Sequence, residues 1–252
     1  MNKSIIATNK LCKTFSNEGM QQHVLKNLDL EIYEGEFTVI MGSSGAGKST
    51  LMYALSGMDK PTIGEINFNG ENISKYSDEQ LAVFRRKNCG FVFQQVYLLD
   101  KMSLMDNVLA AGLLVEKNKK VVVERANKLF DKVNISKNTR KKFSSQISGG
   151  EAQRAGIVRA LINKPSVVFA DEPTGALNSE NTSAVLDVLT DFNNEGQTIV
   201  MVTHDVKSAL RGSRIIYLED GTKCDECVLG KYSKNDAERY EKLNTFLRRM
   251  GW

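Results

Sequence analysis

The chain alternates short, continuous apolar runs with longer stretches of helical periodicity. Phe37-Thr38-Val39-Ile40-Met41, set between Glu34-Gly35-Glu36 and a glycine-rich segment, has the unbroken β-branched character of a strand buried on both faces. Val167 to Ala170 and Thr198 to Val202 are runs of the same kind, so the three predict central strands of a parallel sheet. Lys48 to Leu55 reads as a helix stopped at Ser56-Gly57. Ile215 to Leu218, followed by Glu219-Asp220-Gly221-Thr222, predicts a strand entering a tight hairpin. From about residue 77 to about residue 161 the pattern is helical and lysine-rich, with no buried run after Phe91-Val92-Phe93. That stretch predicts a helical subdomain inserted into an α/β core. No internal repeat is present, which disfavours solenoids and a duplicated unit.

Past Gly230 the periodicity is helical again. Ala237, Tyr240, Leu243, Phe246, Leu247 and Met250 form one apolar stripe, Asn235 or Asp236 can cap its start, and Arg248 and Arg249 suit a helix C-terminus. The expected organisation is one domain over 1–230 and a helical tail over 231–252. The stripe is expected to pack on the protein's own core or on a dimer mate. An exposed Trp252 would instead favour contact with a membrane partner.

Composition narrows the class only a little. The 252 residues are 41% apolar and 25% charged, which is ordinary for a globular protein near the upper size of a single core. No apolar run approaches the roughly 18 residues of a membrane span. The first ten residues hold only Ile5-Ile6-Ala7 as an apolar stretch, too short for a signal-peptide core. A cytoplasmic protein is expected, one that would borrow any membrane part from a partner. Four cysteines without a secretion signal do not make a disulfide framework. Cys224-Asp225-Glu226-Cys227 supplies only half of a tetrahedral zinc site, and reads as a hairpin edge. The net charge of +4 is too weak to imply nucleic acid. Lys117 to Lys142 holds ten basic and two acidic residues, a local +8 that leaves −4 for the rest. That run is a solvated helical face or a surface for anionic lipid headgroups.

The chemistry is concentrated in two places. Gly42-Ser43-Ser44-Gly45-Ala46-Gly47-Lys48-Ser49 fits G-x-x-x-x-G-K-[ST], follows a predicted strand and opens a predicted helix. Glycines let such a loop curl around a phosphate chain, the helix adds its positive end, Lys48 supplies a fixed charge and the Ser49 hydroxyl can coordinate Mg²⁺. Asp171 ends the run Val167–Ala170, where a carboxylate emerges beside the loop and can hold Mg²⁺. Glu172 follows, and Pro173 keeps the chain from continuing as strand. Successive side chains point apart, so Glu172 can act on water while Asp171 serves the metal.

Ile147-Ser148-Gly149-Gly150-Glu151-Ala152-Gln153-Arg154, just ahead of that carboxylate strand, resembles the signature motif of ABC-transporter ATPases. The resemblance runs from about Asn9 to Lys223 in the family's order of motifs. It implies a P-loop NTPase core, a mostly parallel sheet plus an antiparallel β subdomain, with the inserted helical subdomain. It implies ATP and Mg²⁺ as cofactors. It assigns nucleotide to Gly42, Ser43, Ser44, Gly45, Ala46, Gly47, Lys48, Ser49 and Thr50, with Phe15 stacking on adenine. It adds Ser148, Gly149 and Gly150 of a second subunit, in a homodimer that sandwiches ATP. Physically, Ser148 can cap the helix that Gly149-Gly150 opens and create a second anion site. Gln94, in Gly90-Phe91-Val92-Phe93-Gln94, matches the Gln loop that touches Mg²⁺ and the attacking water. The metal set is then Ser49, Gln94 and Asp171. Catalysis falls to Glu172, Gln94 and His204, the last in Val202-Thr203-His204-Asp205 as the switch histidine.

Three positions depart from the family pattern. Ile147 and Glu151 stand where the signature usually has Leu and Gln, and Asn178 replaces the D-loop aspartate in Gly175-Ala176-Leu177-Asn178. Ile for Leu conserves volume, Glu151 adds charge near nucleotide, and Asn178 bears on coupling between subunits. A GTPase reading fails because no Asn-Lys pair is followed by Asp two places on. A translation-type ABC protein would carry two cassettes, and a repair-type one a long heptad arm. Within the family, Phe91-Val92-Phe93-Gln94, Leu98-Leu99 and Asp171 to Leu177 resemble the macrolide-export, lipoprotein-release and bacitracin-resistance branch. That resemblance implies an FtsX-like integral-membrane permease as partner, work at the cytoplasmic face of the membrane, and no nucleic acid. An importer ATPase is the alternative.

Overall fold

The computed structural model describes residues 3–17, 19–234 and 236–252. The chain opens with a long bent strand, β1 (Ser4–Asn17), then β2 (Met20–Leu28), β3 (Glu31–Tyr33) and β4 (Phe37–Gly42). Helix α1 (Lys48–Leu55) follows, then β5 (Ile63–Phe68), β6 (Glu71–Asn72), α2 (Asp78–Asn88) and β7 (Cys89–Phe93). Three helices come next, α3 (Leu104–Gly112), α4 (Lys119–Lys132) and α5 (Gly149–Leu161). The chain then alternates β8 (Val167–Asp171), α6 (Ser179–Asn194), β9 (Thr198–Val202) and α7 (Val206–Ala209). It closes with β10 (Arg214–Glu219), β11 (Thr222–Val228) and α8 (Ala237–Arg249).

The strands form two sheets. One has the order β11-β10-β4-β9-β8-β7 and is parallel except for the β10–β11 hairpin. The other is antiparallel, ordered β2-β1-β5-β6 with β3 on β1. The three apolar runs of the sequence are the central strands β4, β8 and β9, because strands covered on both faces are apolar at nearly every position, here all but Thr38, Thr198 and the terminal Asp171. Helix α1 is packed between the two sheets. Its Leu51, Met52, Ala54 and Leu55 are buried with Ile6, Leu11 and Leu25 of the antiparallel sheet and Ile40, Val200 and Ile216 of the parallel one. The opposite face of the parallel sheet is covered by α5, α6 and α8, with α3 and α4 packed outside it on α5.

The helical insert is narrower than 77–161. Helix α2 starts at Ser77 with a capping box to Gln80, but its Leu81 and Phe84 join the α1 core, with the Phe84 ring edge-on to Phe68 at 4.8 Å. Strand β7 pairs with β8 in register Cys89↔Val167 to Phe93↔Asp171, and α5 packs on β7 and α6. Only α3, α4 and their connections stand apart as purely helical structure. Periodicity marks a helix but not the layer it covers, and β7, a partly exposed edge strand, carries a weak signal.

The tail stripe is buried on the protein's own sheet only in its second half: Leu243, Phe246 and Leu247 are buried and Met250 partly so, whereas Ala237 and Tyr240 are exposed. Leu243, Phe246 and Leu247 enter the core with Ile215 and Tyr217, and Phe246 meets Tyr217 edge-on at 6.4 Å. Asp236 caps α8, accepting from the Arg239 backbone N–H at 2.9 Å, whereas Asn235 lies outside the described residues. Arg239, absent from the sequence argument, is the anchor. Its buried guanidinium donates to the carbonyls of Leu210 (2.7 Å), Leu229 (3.0 Å), Gly230 (3.1 Å), Lys231 (3.2 Å) and Gly212. Among the described residues, no helix is long and apolar enough to cross a membrane.

Candidate functional site

The site begins where β4 stops. Every residue of that strand is buried, and its last, Gly42, has φ +147°, with a Cβ excluded by the Leu218 carbonyl of β10. Gly47 has φ +94°, and a Cβ there would lie 2.9 Å from Leu25 Cδ2 and 3.0 Å from the Val24 carbonyl. The loop is therefore built for glycine at the turn into α1. The β10–β11 turn supports it from behind, Gly221 N–H donating to the Ala46 carbonyl at 3.2 Å. Lys48 Nζ donates to the carbonyls of Gly42 and Ser43, both at 2.8 Å. Burial draws its ammonium below the ordinary lysine value, against the opposing pull of Glu172 and Asp171.

The C-terminal ends of β8 and β9 bring the carboxylates to this loop. Ser49 Oγ donates to Asp171 Oδ1 at 3.1 Å, and Tyr53 Oη donates to Asp171 Oδ2 at 2.9 Å. Burial first, and then the Asp171 hydrogen bond, push the Tyr53 phenol up to about 12. A hydroxyl and a carboxylate within hydrogen-bond reach of each other offer the all-oxygen donors that Mg²⁺ prefers, so these residues fit that ion. Glu172 is held at φ +45°, a conformation unusual for a residue with a side chain, and its N–H donates to the Val202 carbonyl at 2.9 Å. Its carboxylate accepts from the His204 N–H (3.1 Å) and Thr203 Oγ1 (3.2 Å) and lies 2.7 Å from His204 Nδ1.

Two clefts meet at Ser49 and Glu172. One, of about 520 Å³, is lined by Phe15, the phosphate loop, Glu172, His204 and Trp252. The other, of about 530 Å³, is lined by Ser49, Tyr53, Gln94, Gln95, Asp171 and Glu172 among others. Phe15 is 44% exposed at the mouth of the first, with Lys13 Nζ 4.9 Å from its ring centre. Gln94 reaches toward Gly175, where a Cβ would come 2.8 Å from Gln94 Nε2. The backbone around Gln94 is gripped by α5. Gln153 Nε2 donates to the Phe93 carbonyl at 2.9 Å, and Arg159 donates to the carbonyls of Val96 (2.6 Å) and Tyr97 (2.7 Å).

Ser148, Gly149 and Gly150 line neither of these clefts. Ser148 N-caps α5, its Oγ accepting from the Glu151 N–H at 3.2 Å, and Glu151 Oε2 accepts from the Ser148 N–H at 2.9 Å. Those bonds hold the Glu151 carboxyl below the usual glutamate range. The extra charge of Glu151 is thus turned onto its own helix end. Gly150 leaves room for Asn181 of α6, and Asn178 spends its side-chain oxygen on capping α6, accepting from the Asn181 N–H at 3.0 Å.

Two further residues of the site were not assigned to it from sequence. Tyr53 lies four residues beyond Ser49 on α1, and that spacing places both on one helix face. Trp252 carried no such signal, because only the docking of α8 brings it to the cleft.

The crevice opens at the C-terminal edge of a parallel sheet, with a glycine loop feeding a helix N-terminus, and that is the plan of a P-loop nucleoside triphosphatase. The chain belongs to the ABC transporter family, whose profile matches residues 25–175, and it is an ATP hydrolase of that family. It is 41% identical over 217 residues to an uncharacterized ABC transporter ATP-binding protein, MJ1508, of Methanocaldococcus jannaschii, covering 86% of this chain and 96% of that one. It is 38% identical over 249 residues to the bacitracin export ATP-binding protein BceA of Halalkalibacterium halodurans, covering 98% and 96%. Among solved structures it resembles a dimeric post-hydrolysis state of the ATP-binding cassette MJ0796 bound to ADP and Pi. That likeness has a TM-score of 0.82 at 35% identity and covers 90% of this chain and all of that one.

Proposed function

We propose that the chain is the ATPase subunit of a membrane transporter, working as a homodimer on the cytoplasmic face of an FtsX-like permease that exports or removes peptide antibiotics or related amphiphiles. The observation that carries this reading is the match to BceA, which at 98% of the chain extends into the α8 tail. Residues 1–230 are read as one cassette, with the tail appended.

In this reading Lys48 and the loop N–H groups bind the phosphates of ATP, and Phe15 stacks on the base. Ser49, Asp171 and Gln94 hold Mg²⁺, which when bound neutralises charge on the phosphate chain. Glu172 takes a proton from the attacking water, whose oxygen bonds to the γ-phosphorus as the bond to ADP breaks, leaving ADP and phosphate. His204 orients Glu172 and faces the γ-phosphate end. Ser148 and Gly150 are separated from the cleft within one chain, and the dimeric likeness supports their use by a second subunit across bound ATP.

Light scattering tests the assembly. Glu172→Gln with MgATP is expected to shift from monomer to dimer, and the added Ser148→Arg change is expected to abolish the shift while nucleotide still binds. A Glu172→Gln protein that remains monomeric at saturating ATP, alone and with its permease in detergent, would overturn the dimer. Co-expression with an FtsX-like permease partner should raise bacitracin tolerance of a sensitive host, and Lys48→Ala should remove that gain. If tolerance is the same with either form, the peptide-export reading is wrong.

A further inference from the structure

Trp252, the one tryptophan of the chain, lines the same cleft as Lys48, Ser49, Glu172 and His204. Its position comes from packing at a distance in sequence. Helix α8 is docked by Leu243, Phe246 and Leu247, and the Trp252 N–H closes the helix end by donating to the Leu247 carbonyl at 3.0 Å. The indole then meets the ring of Tyr217 edge-on at 6.3 Å. Tyr217 sits beside Met41, one residue before the phosphate loop begins. Buried contact on one side leaves the indole 42% exposed, next to the cleft.

The two aromatic residues of the cleft come from opposite layers. Phe15 belongs to the antiparallel sheet on the α1 side, whereas Trp252 arrives with α8 on the far side of the parallel sheet. That far layer also holds α7, which follows His204, and Arg239 ties α8 to the segment just after α7 through the carbonyls of Leu210 and Gly212. Trp252 therefore enters the cleft from the layer that holds α7, the helix following His204, and Phe15 from the opposite one. An indole suits that place, since its ring edge and its N–H carry partial positive charge toward an anion.

We propose that Trp252 is a nucleotide-contacting residue, closing the phosphate end of the cleft from the α8 side, so that nucleotide occupancy and docking of α8 favour each other. The proposal rests on the reading of the cleft as an ATP site. Linkage makes the coupling reciprocal: whatever affinity Trp252 adds for nucleotide, nucleotide returns as stability of the docked tail.

The full chain with a non-hydrolysable ATP analogue, with MgADP, and without nucleotide gives the test. Binding is measured by equilibrium dialysis and Trp252 by its own emission. Saturating analogue should blue-shift Trp252 and suppress acrylamide quenching, and MgADP should do so less. Trp252→Ala should weaken analogue binding about 2- to 10-fold, with Trp252→Phe recovering most of it. Tyr240→Ala, on the exposed face of α8, should leave affinity unchanged. Normal dialysis binding with unaltered emission and unaltered Trp252→Ala affinity overturns the role of Trp252 alone. No binding to the wild type overturns the ATP site as well. The emission of the wild type needs no variant, so a misfolded Trp252→Ala does not spare the proposal.

Discussion

Oε1 of Glu172 lies 2.7 Å from Nδ1 of His204 and also accepts the His204 backbone N–H at 3.1 Å. An ionised carboxylate only accepts, so this pair calls for the imidazole proton on Nδ1, which leaves Nε2 of the neutral ring an acceptor. The left-handed backbone at Glu172 and the turn after β9 exist to make this meeting possible, since β8 and β9 run side by side and end level with one another.

Glu172→Gln should keep nucleotide bound while hydrolysis falls by about 10²–10⁴, the usual range for lost general-base assistance. An amide keeps the bond from the His204 N–H but cannot take a proton from water. Phosphate release beside equilibrium binding measures both quantities. Hydrolysis at the wild-type rate would remove Glu172 from the role of base.

Tyr53→Phe deletes the donor to Asp171 Oδ2 and leaves the carboxylate free to turn away from Ser49. By analogy with other groups that orient metal ligands, the Mg²⁺ requirement for hydrolysis should rise about 10-fold. Nucleotide affinity without Mg²⁺ should stay the same. Mg²⁺ titrations of activity, paired with binding in chelator, separate the two.

The capping box predicts a pH dependence with a definite sign. Hydrogen bonds from Ser148 lower the Glu151 carboxyl in the folded protein. Its contribution is therefore complete above the unfolded value of about 4.3 and is lost as pH falls through the lower folded value. Glu151→Ala should lower Tm at neutral pH, and the gap to wild type should close under acid. Because the carboxylate meets solvent, the effect at neutral pH should not exceed about 1 kcal/mol. Thermal melts of both proteins from neutral to acid pH check it.

Leu243 is fully buried under the tail, so Leu243→Ala should cost about 2–5 kcal/mol if α8 melts with the domain. Denaturant unfolding followed by far-UV dichroism measures this. An unchanged midpoint would show that α8 unfolds separately from the cassette.

Much of the molecule is legible in local pattern. Strands β4, β8 and β9 are apolar at nearly every position because both faces are covered, and helix α1 ends at Ser56-Gly57 as read from the sequence. Gly42 to Ser49 announces itself because only glycine tolerates the backbone that such a loop adopts. What the linear order could not decide is which elements share a layer. Helix α2 and strand β7 sit with the core because Phe84 meets Phe68 and β7 pairs with β8, contacts that periodicity does not encode. The turning of Glu151 onto its own helix and the spending of Asn178 on a cap are local, three-residue contacts, whereas the five carbonyls gathered by Arg239 depend on where chain segments end in space. Trp252 is the clearest case: its sequence neighbours describe a helix end, and only the packing of α8 against Tyr217 brings its ring to a phosphate loop some two hundred residues earlier. Local sequence determines backbone shape through sterics and burial, whereas the meeting of distant side chains is decided by which apolar faces close on each other.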